Sequence, residues 1–218
     1  MPRGRGNFAE AQMNFALEST KSLRFSPLVA ANWSDLEELF GARGACGGCW
    51  CMTWRLRHAE FQKNKGASNK RAFQAIVASG EATGVLAYSA GKTVGWCAIA
   101  PRDIYVRLES SRILKPVDVQ PVWAVSCFYV ARGHRRSGLS VALLEAAVEY
   151  ARRRGAKIVE GYPHDLREHL PGAFVWTGIF STFRKVGFEE VARRSPTRPI
   201  VRKELRSLDG PRRRRSNG

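Results

Sequence analysis

The chain has 218 residues, of which 44% are hydrophobic and 10% aromatic, and its formal net charge is +17. This length and composition predict one globular domain with a full core and exclude a chain that is disordered throughout. No window of the sequence approaches about 18 consecutive apolar residues, which argues against a membrane-spanning helix. A charge so far from zero favours an anionic partner, because the surface otherwise repels itself.

The N-terminal segment and the cysteine content indicate the compartment of the protein. Glu10 and Glu18 interrupt the N-terminal segment, so we expect no signal peptide and a cytoplasmic protein. The five cysteines, an odd number, favour reduced thiols over a disulfide framework. We predict a flexible extension over residues 1–20, a single domain over residues 21–205 and a disordered basic tail over residues 206–218.

The first part of the domain is predicted to contain one strand and one short helix. The strand lies between Ser22 and Val29. The helix is capped by Ser34 or by Asn32, and Glu37, three residues after Ser34, completes the pattern of a capping box.

A cysteine-rich segment follows, Cys46 to Arg55, in which Cys46, Cys49 and Cys51 are close in sequence. Together with His58 they would supply four zinc ligands, although the spacing is not a familiar finger pattern. We favour another interpretation, in which reduced cysteines and tryptophans line or close a substrate pocket. The zinc interpretation stays open as an alternative.

The middle of the chain is predicted to contain a helix, a hairpin and a long connection. The helix covers Ser68–Ser79. The hairpin pairs Val85–Ser89 with Thr93–Ile99 across the turn Ala90-Gly91-Lys92. Residues 102–119 then form a polar connection that either shapes a pocket or is an ordinary surface loop.

The apolar run from Trp123 to Val130 predicts a buried central strand. A basic turn over residues 131–137 follows, and then a helix that ends at Gly155. One face of that helix is apolar, because small and hydrophobic residues recur at helical spacing. These residues are Leu139, Ala142, Leu143, Ala146, Ala147, Tyr150 and Ala151.

The order of strand, basic turn and helix has a chemical use. The first amides of a helix have no intrahelical acceptor, and the aligned peptide dipoles make that end partly positive, so it binds phosphate readily. Gly138 lets the backbone approach an anion closely. Positive charge comes from Arg132, His134, Arg135 and Arg136. From the residues alone, an ordinary strand-to-helix turn with solvated arginines is as good an interpretation as a phosphate site.

After the central helix, the sequence predicts a strand, a polar loop, a helix and two final strands. Their ranges are Lys157–Tyr162, His164–Ala173, Phe174–Val186, Glu189–Arg193 and Ile200–Leu205. Helices that alternate with strands and hairpins predict an α/β or α+β domain, in which helices flank a single sheet.

The stretch from Arg135 to Ser140 resembles the acetyl-CoA loop, Q/R-x-x-G-x-G/A, of the GNAT N-acetyltransferases, with Ser140 at a position where the family has Gly or Ala. Residues 181–188 are similar to that family's terminal helix and Gly-Phe turn. The resemblance covers residues 80–205. It implies a single mixed, mostly antiparallel sheet that is splayed at its two central strands.

The resemblance also implies which residues hold acetyl-CoA, the co-substrate. The pantetheine arm would lie along the backbone of Phe128, Tyr129 and Val130. The pyrophosphate would bind the loop formed by Arg135, Arg136, Ser137, Gly138, Leu139 and Ser140. Phe183 would also border the cofactor, and it stands where relatives commonly have a tyrosine that acts as an acid.

Four side chains are candidates for proton transfer, because an amine attacks only when it is unprotonated and the departing thiolate needs a proton. Glu160 is the candidate base if it points into the cleft, and a solvated surface carboxylate is its plainer interpretation. Tyr129 is the candidate acid, with water or no acid at all as the alternatives, and His164 and Asp165 are weaker candidates for the base. Cys127 is as plausible as a packing residue as it is as a nucleophile.

These features predict an enzyme that transfers an acetyl group from acetyl-CoA to a primary amine by direct attack, without a metal. The acceptor and the oligomeric state stay open, a dimer included. One alternative is a basic RNA-binding module without transferase activity. An enzyme that acetylates aminoacyl-tRNA would combine the two interpretations. Its stacking residues would be Trp33, Trp50, Trp54 and Trp176.

Overall fold

The computed structural model of the protein describes residues 13–14, for which only the backbone is considered, 23–165 and 176–206. The helices are α1 (Trp33–Phe40), α2 (His58–Lys63), α3 (Ala67–Ala78), α4 (Val106–Glu109), α5 (Leu139–Arg153) and α6 (Phe180–Lys185). The strands are β1 (Met13–Asn14), β2 (Leu23–Pro27), β3 (Gly84–Ser89), β4 (Lys92–Pro101), β5 (Trp123–Val130), β6 (Ile158–Gly161), β7 (Glu189–Arg193) and β8 (Pro199–Glu204).

The strands form one sheet in the order β1-β2-β3-β4-β5-β6-β8-β7. Neighbouring strands are antiparallel, except that β5 and β6 are parallel. This parallel pairing covers only three positions and ends at Val125 opposite Gly161. Since β5 continues to Val130 without pairing to β6, the sheet opens between its two central strands. The predicted mixed, mostly antiparallel sheet with a central splay is confirmed.

The two faces of the sheet are covered by different helices. Side chains alternate along β3, so Val85 packs on the α5 face while Leu86 packs on the opposite face, which α1 and α3 cover. The α5 face is built mainly from small and branched residues of α5 and the strands. The α1 face is aromatic, and its buried residues include Trp33, Phe40, Trp50, Phe73 and Trp96.

A bulge in β5 lies directly at the opening of the sheet. Ala98 of β4 faces Cys127, and Ile99 faces Val125, so Ser126 has no partner on β4. A bulge bends the strand and changes the direction of its side chains, and such bulges are frequent beside functional sites. Here the strand bends where β5 separates from β6.

Several predicted boundaries need correction. The capping box from Ser34 is wrong, because Ser34 lies inside α1. Asn32, the other predicted cap, does precede the helix, but its side chain accepts the Val29 amide at 2.8 Å and caps no amide of α1. Glu37 accepts from the Trp33 indole at 3.0 Å and pairs with Lys70. No helix was predicted at the position of α2.

The structure also changes the ends of the predicted segments. The helix predicted over 174–186 begins only at Phe180, residues 176–177 form a turn, and Ile179 pairs with His164 in an isolated bridge. Met13–Asn14 pairs with β2, although residues 1–20 were predicted as an extension. The remainder of that extension, most of the predicted polar loop and the tail beyond Arg206 lie outside the described residues. No helix in the described ranges is long and apolar enough to cross a bilayer.

Candidate functional site

The turn that joins β5 to α5, residues 131–138, is called the arginine turn below. Its shape is fixed by its own side chains. The Ser137 hydroxyl donates to the His134 carbonyl at 2.6 Å, and Arg135 Nε donates to the Val130 carbonyl at 3.2 Å. These bonds fold the turn back on the end of β5, so α5 begins directly beside that strand end.

The amides at the start of α5 point to no acceptor. Gly138 precedes the helix in the left-handed conformation, with φ 82° and ψ −4°, and the first backbone bond runs from the Val141 amide to the Gly138 carbonyl at 2.9 Å. The amides of Ser137, Gly138, Leu139 and Ser140 have no acceptor among the described residues. A row of such amides at a helix N-terminus binds an anion.

Solvent reaches this row of amides from the side of the turn. Arg135 to Gly138 are exposed, whereas the side chain of Leu139 anchors the helix in the core of the α5 face. Exposed guanidinium groups of Arg132, Arg135 and Arg136 surround the turn. The predicted pyrophosphate loop therefore has an open surface, unpaired donors and positive charge together.

The free edge of β5 is partly occupied by two tryptophans. The indole of Trp54 donates to the Ser126 carbonyl at 3.1 Å, and the carbonyl of Trp176 accepts the Phe128 amide at 2.6 Å. The two rings lie 5.6 Å apart. The Phe128 amide, predicted to hold pantetheine, is thus already engaged, and the Val130 amide lies farther along the same edge.

A tyrosine missed in the sequence lies at the bulge. Tyr105 is fully buried, its hydroxyl is hydrogen-bonded to the side chain of Ser126, and burial raises its pKa to about 12. It therefore stays protonated at neutral pH. The predicted acid, Tyr129, is half-buried on the α1 face, with its ring 5.5 Å from Phe40.

The cysteine-rich segment is anchored on the α1 face by Trp50. Its ring stacks on Trp33 at 6.0 Å and contacts Phe40 at 5.7 Å, and the ammonium group of Lys70 lies 5.2 Å from its centre. Trp50 and Cys51 both have left-handed backbones, with φ 45° and 56°. Each such residue costs about 1–3 kcal/mol, and the packing of Trp50 holds the strained turn in place.

This turn brings Cys49 and Cys51 close to Cys127 of β5, at the opening of the sheet. Cys49 Sγ lies 2.7 Å from Thr53 Oγ1, and Cys51 Sγ accepts the indole N–H of Trp96 at 3.0 Å. The Cys127 thiol, at the bulge, is hydrogen-bonded to Cys51. That bond lowers the pKa of Cys51 despite its burial, and the same bond together with burial raises the pKa of Cys127 well above its ordinary value.

The zinc interpretation is not supported by this arrangement. Cys46 is exposed, Cys49 and Cys51 face different partners, and the His58 ring lies 3.5 Å from Gln62 Nε2. Within the described ranges, no three Cys, His, Asp or Glu residues are arranged to hold a metal ion.

The tryptophans proposed for RNA stacking are not available as a group. Trp33 and Trp50 are buried under α1 and α3. Trp54 and Trp176 are half-buried and contact each other at the edge of β5. The stacking surface that the RNA interpretation required is therefore not formed.

Glu160, the predicted base, is fully buried rather than open to the cleft or to solvent. One carboxylate oxygen accepts the Tyr162 hydroxyl at 2.5 Å, and the other accepts Arg202 Nε at 2.7 Å. Arg102 Nε lies 3.4 Å from the first oxygen. Both carboxylate oxygens are therefore occupied by partners inside the protein, and no side of Glu160 is open to a substrate amine.

This cluster, called the carboxylate network below, extends into the connection between β4 and β5. Arg102 pairs with Glu109 and donates to the Leu114 carbonyl at 2.9 Å. Arg202 forms two bonds to Asp118, at 2.6 and 3.1 Å, which lower the pKa of that carboxyl. Hydrogen bonds and ion pairs therefore hold both ends of the connection against the sheet, as a surface loop without such contacts would not be held.

His164, the weaker candidate, lies just past β6. Its backbone is bonded to the segment before α6, since its amide donates to Gly178 and its carbonyl accepts from Phe180, both at 2.9 Å. Burial, with a contribution from the charge of Arg198, lowers the pKa of His164 to about 4. The ring is therefore neutral at physiological pH.

Phe183 is a core residue and has no open side toward a cofactor. It is fully buried between Phe128 at 6.0 Å and Phe188 at 5.1 Å. A Cβ at Gly161 would lie 2.2 Å from the Phe183 ring, so β6 needs a glycine there. The prediction that Phe183 borders the cofactor is not supported.

Comparison with protein families finds a match to a model described as the acetyltransferase (GNAT) family, over residues 50–166, which is just over half of the chain. A comparison of the sequence with curated proteins finds no match.

Solved structures resemble the fold at low sequence identity. A GNAT-family acetyltransferase from Listeria monocytogenes has a TM-score of 0.54 and 11% identity, over 88% of this chain and 100% of that one. A mosquito arylalkylamine N-acetyltransferase like 5b has a TM-score of 0.53 and 15% identity, over 84% and 100%. The GNAT domain of S. lividans PAT has a TM-score of 0.50 and 14% identity, over 89% and 97%.

Proposed function

Because the family match shows that this chain belongs to the GNAT acetyltransferases, we propose that it transfers an acetyl group from acetyl-CoA to a primary amine by direct attack. The observation that supports this most is the arginine turn. Its unpaired amides, left-handed Gly138 and exposed arginines suit a pyrophosphate group, and they lie at the end of a strand whose edge is free of β6.

The residues that would hold the cofactor divide between backbone and side chain. The amides of Ser137 to Ser140 would bind the pyrophosphate, and Arg135 and Arg136 would add charge. The edge of β5 would hold the pantetheine arm at Val130. A bond to Phe128 would require the Trp176 carbonyl to leave, so we propose that pantetheine and Trp176 compete for that amide.

When bound, acetyl-CoA supplies an activated acetyl thioester. The protein would place the reacting groups at the bulge, on the α1 face. Tyr129 is our candidate acid, because it carries a hydroxyl and lies half-buried on the α1 face, two residues after Cys127 at the bulge. Tyr105 is a second protonated hydroxyl at the bulge, but its bond to Ser126 favours a positioning role.

The proton of the amine needs a different route from the one predicted in the sequence. Glu160 is held by two arginines and is not proposed again as the base. His164 is neutral above about pH 4, so its ring can accept a proton, although so low a pKa makes it a weak base. We propose that the amine loses its proton to water or to His164.

Titration calorimetry with acetyl-CoA tests cofactor binding. With protein at about 50 µM, we expect measurable heat and a rise in melting temperature that grows with ligand concentration. The variant Ser140→Ala, which introduces a residue typical of the family loop, should retain binding. The absence of both heat and thermal protection in the folded wild-type protein would contradict the proposal.

The acceptor is best identified by the release of free CoA. A screen of amino acids, polyamines, aminoglycosides and aminoacyl-tRNA, each with acetyl-CoA, should give turnover with one amine class and a product that carries one added acetyl group. Binding of acetyl-CoA without turnover on any amine would support the cofactor site and contradict transfer to these acceptors.

A further inference from the structure

The thiols of Cys51 and Cys127 meet where the central strands separate. Cys127 lies at the bulge, one residue before Phe128, and Cys51 reaches it from the strained turn on the α1 face. The two thiols interact closely enough to shift each other's pKa. The indole of Trp96 donates to the Cys51 sulfur at 3.0 Å, and the Cys127 thiol also contacts the Phe128 carbonyl at 3.7 Å. Both residues are partly exposed, unlike Cys97, which is fully buried.

We propose that Cys51 and Cys127 are a dithiol redox site that a peroxide converts to a disulfide across the opening of the sheet. The segments that carry them are separated by 76 positions in sequence but held together by the packing of Trp50 and Trp96. A disulfide needs two sulfurs in contact on segments that are already positioned, and this arrangement supplies both.

The two thiols have unequal roles. The bond from Cys127, with smaller contributions from Trp96 and the charge of Arg55, lowers the pKa of Cys51, so Cys51 is the better thiolate. Cys127 keeps its proton until a sulfur electrophile forms beside it. Cys51 is therefore the attacking residue, and Cys127 is the resolving residue.

The chemistry balances with hydrogen peroxide as the oxidant. The Cys51 thiolate attacks one peroxide oxygen, the O–O bond breaks, and a sulfenic acid forms while hydroxide leaves. That hydroxide takes the Cys127 proton to give water. The Cys127 sulfur then attacks the Cys51 sulfur, the S–O bond breaks, and the second hydroxide leaves and is protonated to water. Two thiols are oxidised and one peroxide is reduced.

The other cysteines are less suited to this step. Cys97 is fully buried, and burial raises its pKa well above the ordinary value. Cys49 faces Thr53, and burial raises its pKa as well. Cys46 is exposed, and it makes no hydrogen bond through its thiol to the described residues. These differences predict that oxidation selects one pair among five thiols.

A consequence for catalysis rests on the proposed function. The disulfide would tie the cysteine-rich turn to β5 beside the edge that is proposed to hold pantetheine. We expect oxidised protein to bind acetyl-CoA about tenfold more weakly, as for the loss of one hydrogen bond to the cofactor, and a dithiol reductant to restore binding.

The experiment exposes the reduced full-length protein to equimolar hydrogen peroxide, followed by mass spectrometry of unreduced peptides. We expect a cross-link between the peptide with Cys51 and the peptide with Cys127, in wild type and in the control Cys46→Ser. Cys51→Ser and Cys127→Ser should lose it, and Cys49→Ser should keep it, which assigns the sulfur within the first peptide. Absence of this cross-link in folded wild type overturns the proposal, whichever other thiols oxidise.

Calorimetry on the same samples separates the two proposals. Weaker acetyl-CoA binding after oxidation, reversed by reductant and absent in Cys127→Ser, supports the coupling to the cofactor site. A disulfide with unchanged binding overturns that coupling alone. A disulfide in a protein that binds no acetyl-CoA even when reduced supports the redox site and contradicts the proposed function.

Discussion

The arginine turn and the carboxylate network both place guanidinium groups around polar atoms, but only the turn leaves those atoms unpaired. In the turn, four successive amides have no acceptor among the described residues, and the first two belong to exposed residues. In the network, Glu160 is fully buried, and its two oxygens are taken by Tyr162, Arg102 and Arg202.

This difference in pairing distinguishes a ligand-binding surface from a buried cluster that stabilises the fold. Unpaired donors at the surface cost little while water solvates them, and they are available to an anionic ligand. A buried carboxylate must be paired inside the protein, and once paired its oxygens are not open to a substrate. A strand carboxylate near the opening of the sheet is therefore not a base merely because of its position.

The largest expected effect comes from the network. Glu160→Gln should lower the free energy of unfolding by about 3 kcal/mol, because the buried Arg102 and the half-buried Arg202 lose their shared charge partner. Urea denaturation measures this change. Glu109→Gln is the control, since its side chain is 46% exposed and should cost less than about 1 kcal/mol. Normal stability with a large loss of turnover would instead identify Glu160 as a base.

The next effect concerns the arginine turn. Gly138→Glu should weaken acetyl-CoA binding about 100-fold, because it places a negative carboxylate beside the anion-binding amides and strains the backbone at φ 82°. Gly155→Glu is the matched control, since Gly155 has φ 84°, is exposed and lies at the other end of α5. Both variants carry the same strain, so equal binding in calorimetry would show that the turn is not the site.

A smaller effect is expected at the edge of β5. Trp54→Phe removes the indole bond to the Ser126 carbonyl and should cost about 1.5 kcal/mol of unfolding free energy in urea. Trp123→Phe is the comparison, because the Trp123 indole donates no bond to the described residues and its ring packs on Tyr150. If both variants lose the same stability, packing and not the bond accounts for the effect.

The smallest expected effect is a pH dependence at His164. Its pKa falls from an ordinary 6.5 to about 4 on folding, so between these values the unfolded chain binds more protons than the folded one. Stability should therefore rise by about 1 kcal/mol from pH 4 to pH 6.5, after allowance for solvent screening of a half-buried ring. His164→Gln should flatten this part of the profile in urea titrations at several pH values.

Local features were predicted well from the sequence because their causes are local. The run from Trp123 to Val130 is the strand predicted, and the start of α5 follows Gly138. Contacts between distant segments were not predicted. The Trp54 indole meets Ser126 across 72 positions, and Tyr105 reaches the same residue. Spacing along the chain carries no information about these pairs.

By itself, the sequence determined the order of strand, arginine turn and helix, because alternation, helical spacing and a glycine at a left-handed position act over a few residues. Only the tertiary structure decided what Glu160, Phe183 and Cys51 do. Their roles depend on which groups from other segments surround them. A charge, a ring or a thiol acquires its chemistry from burial and partners, and those follow from packing.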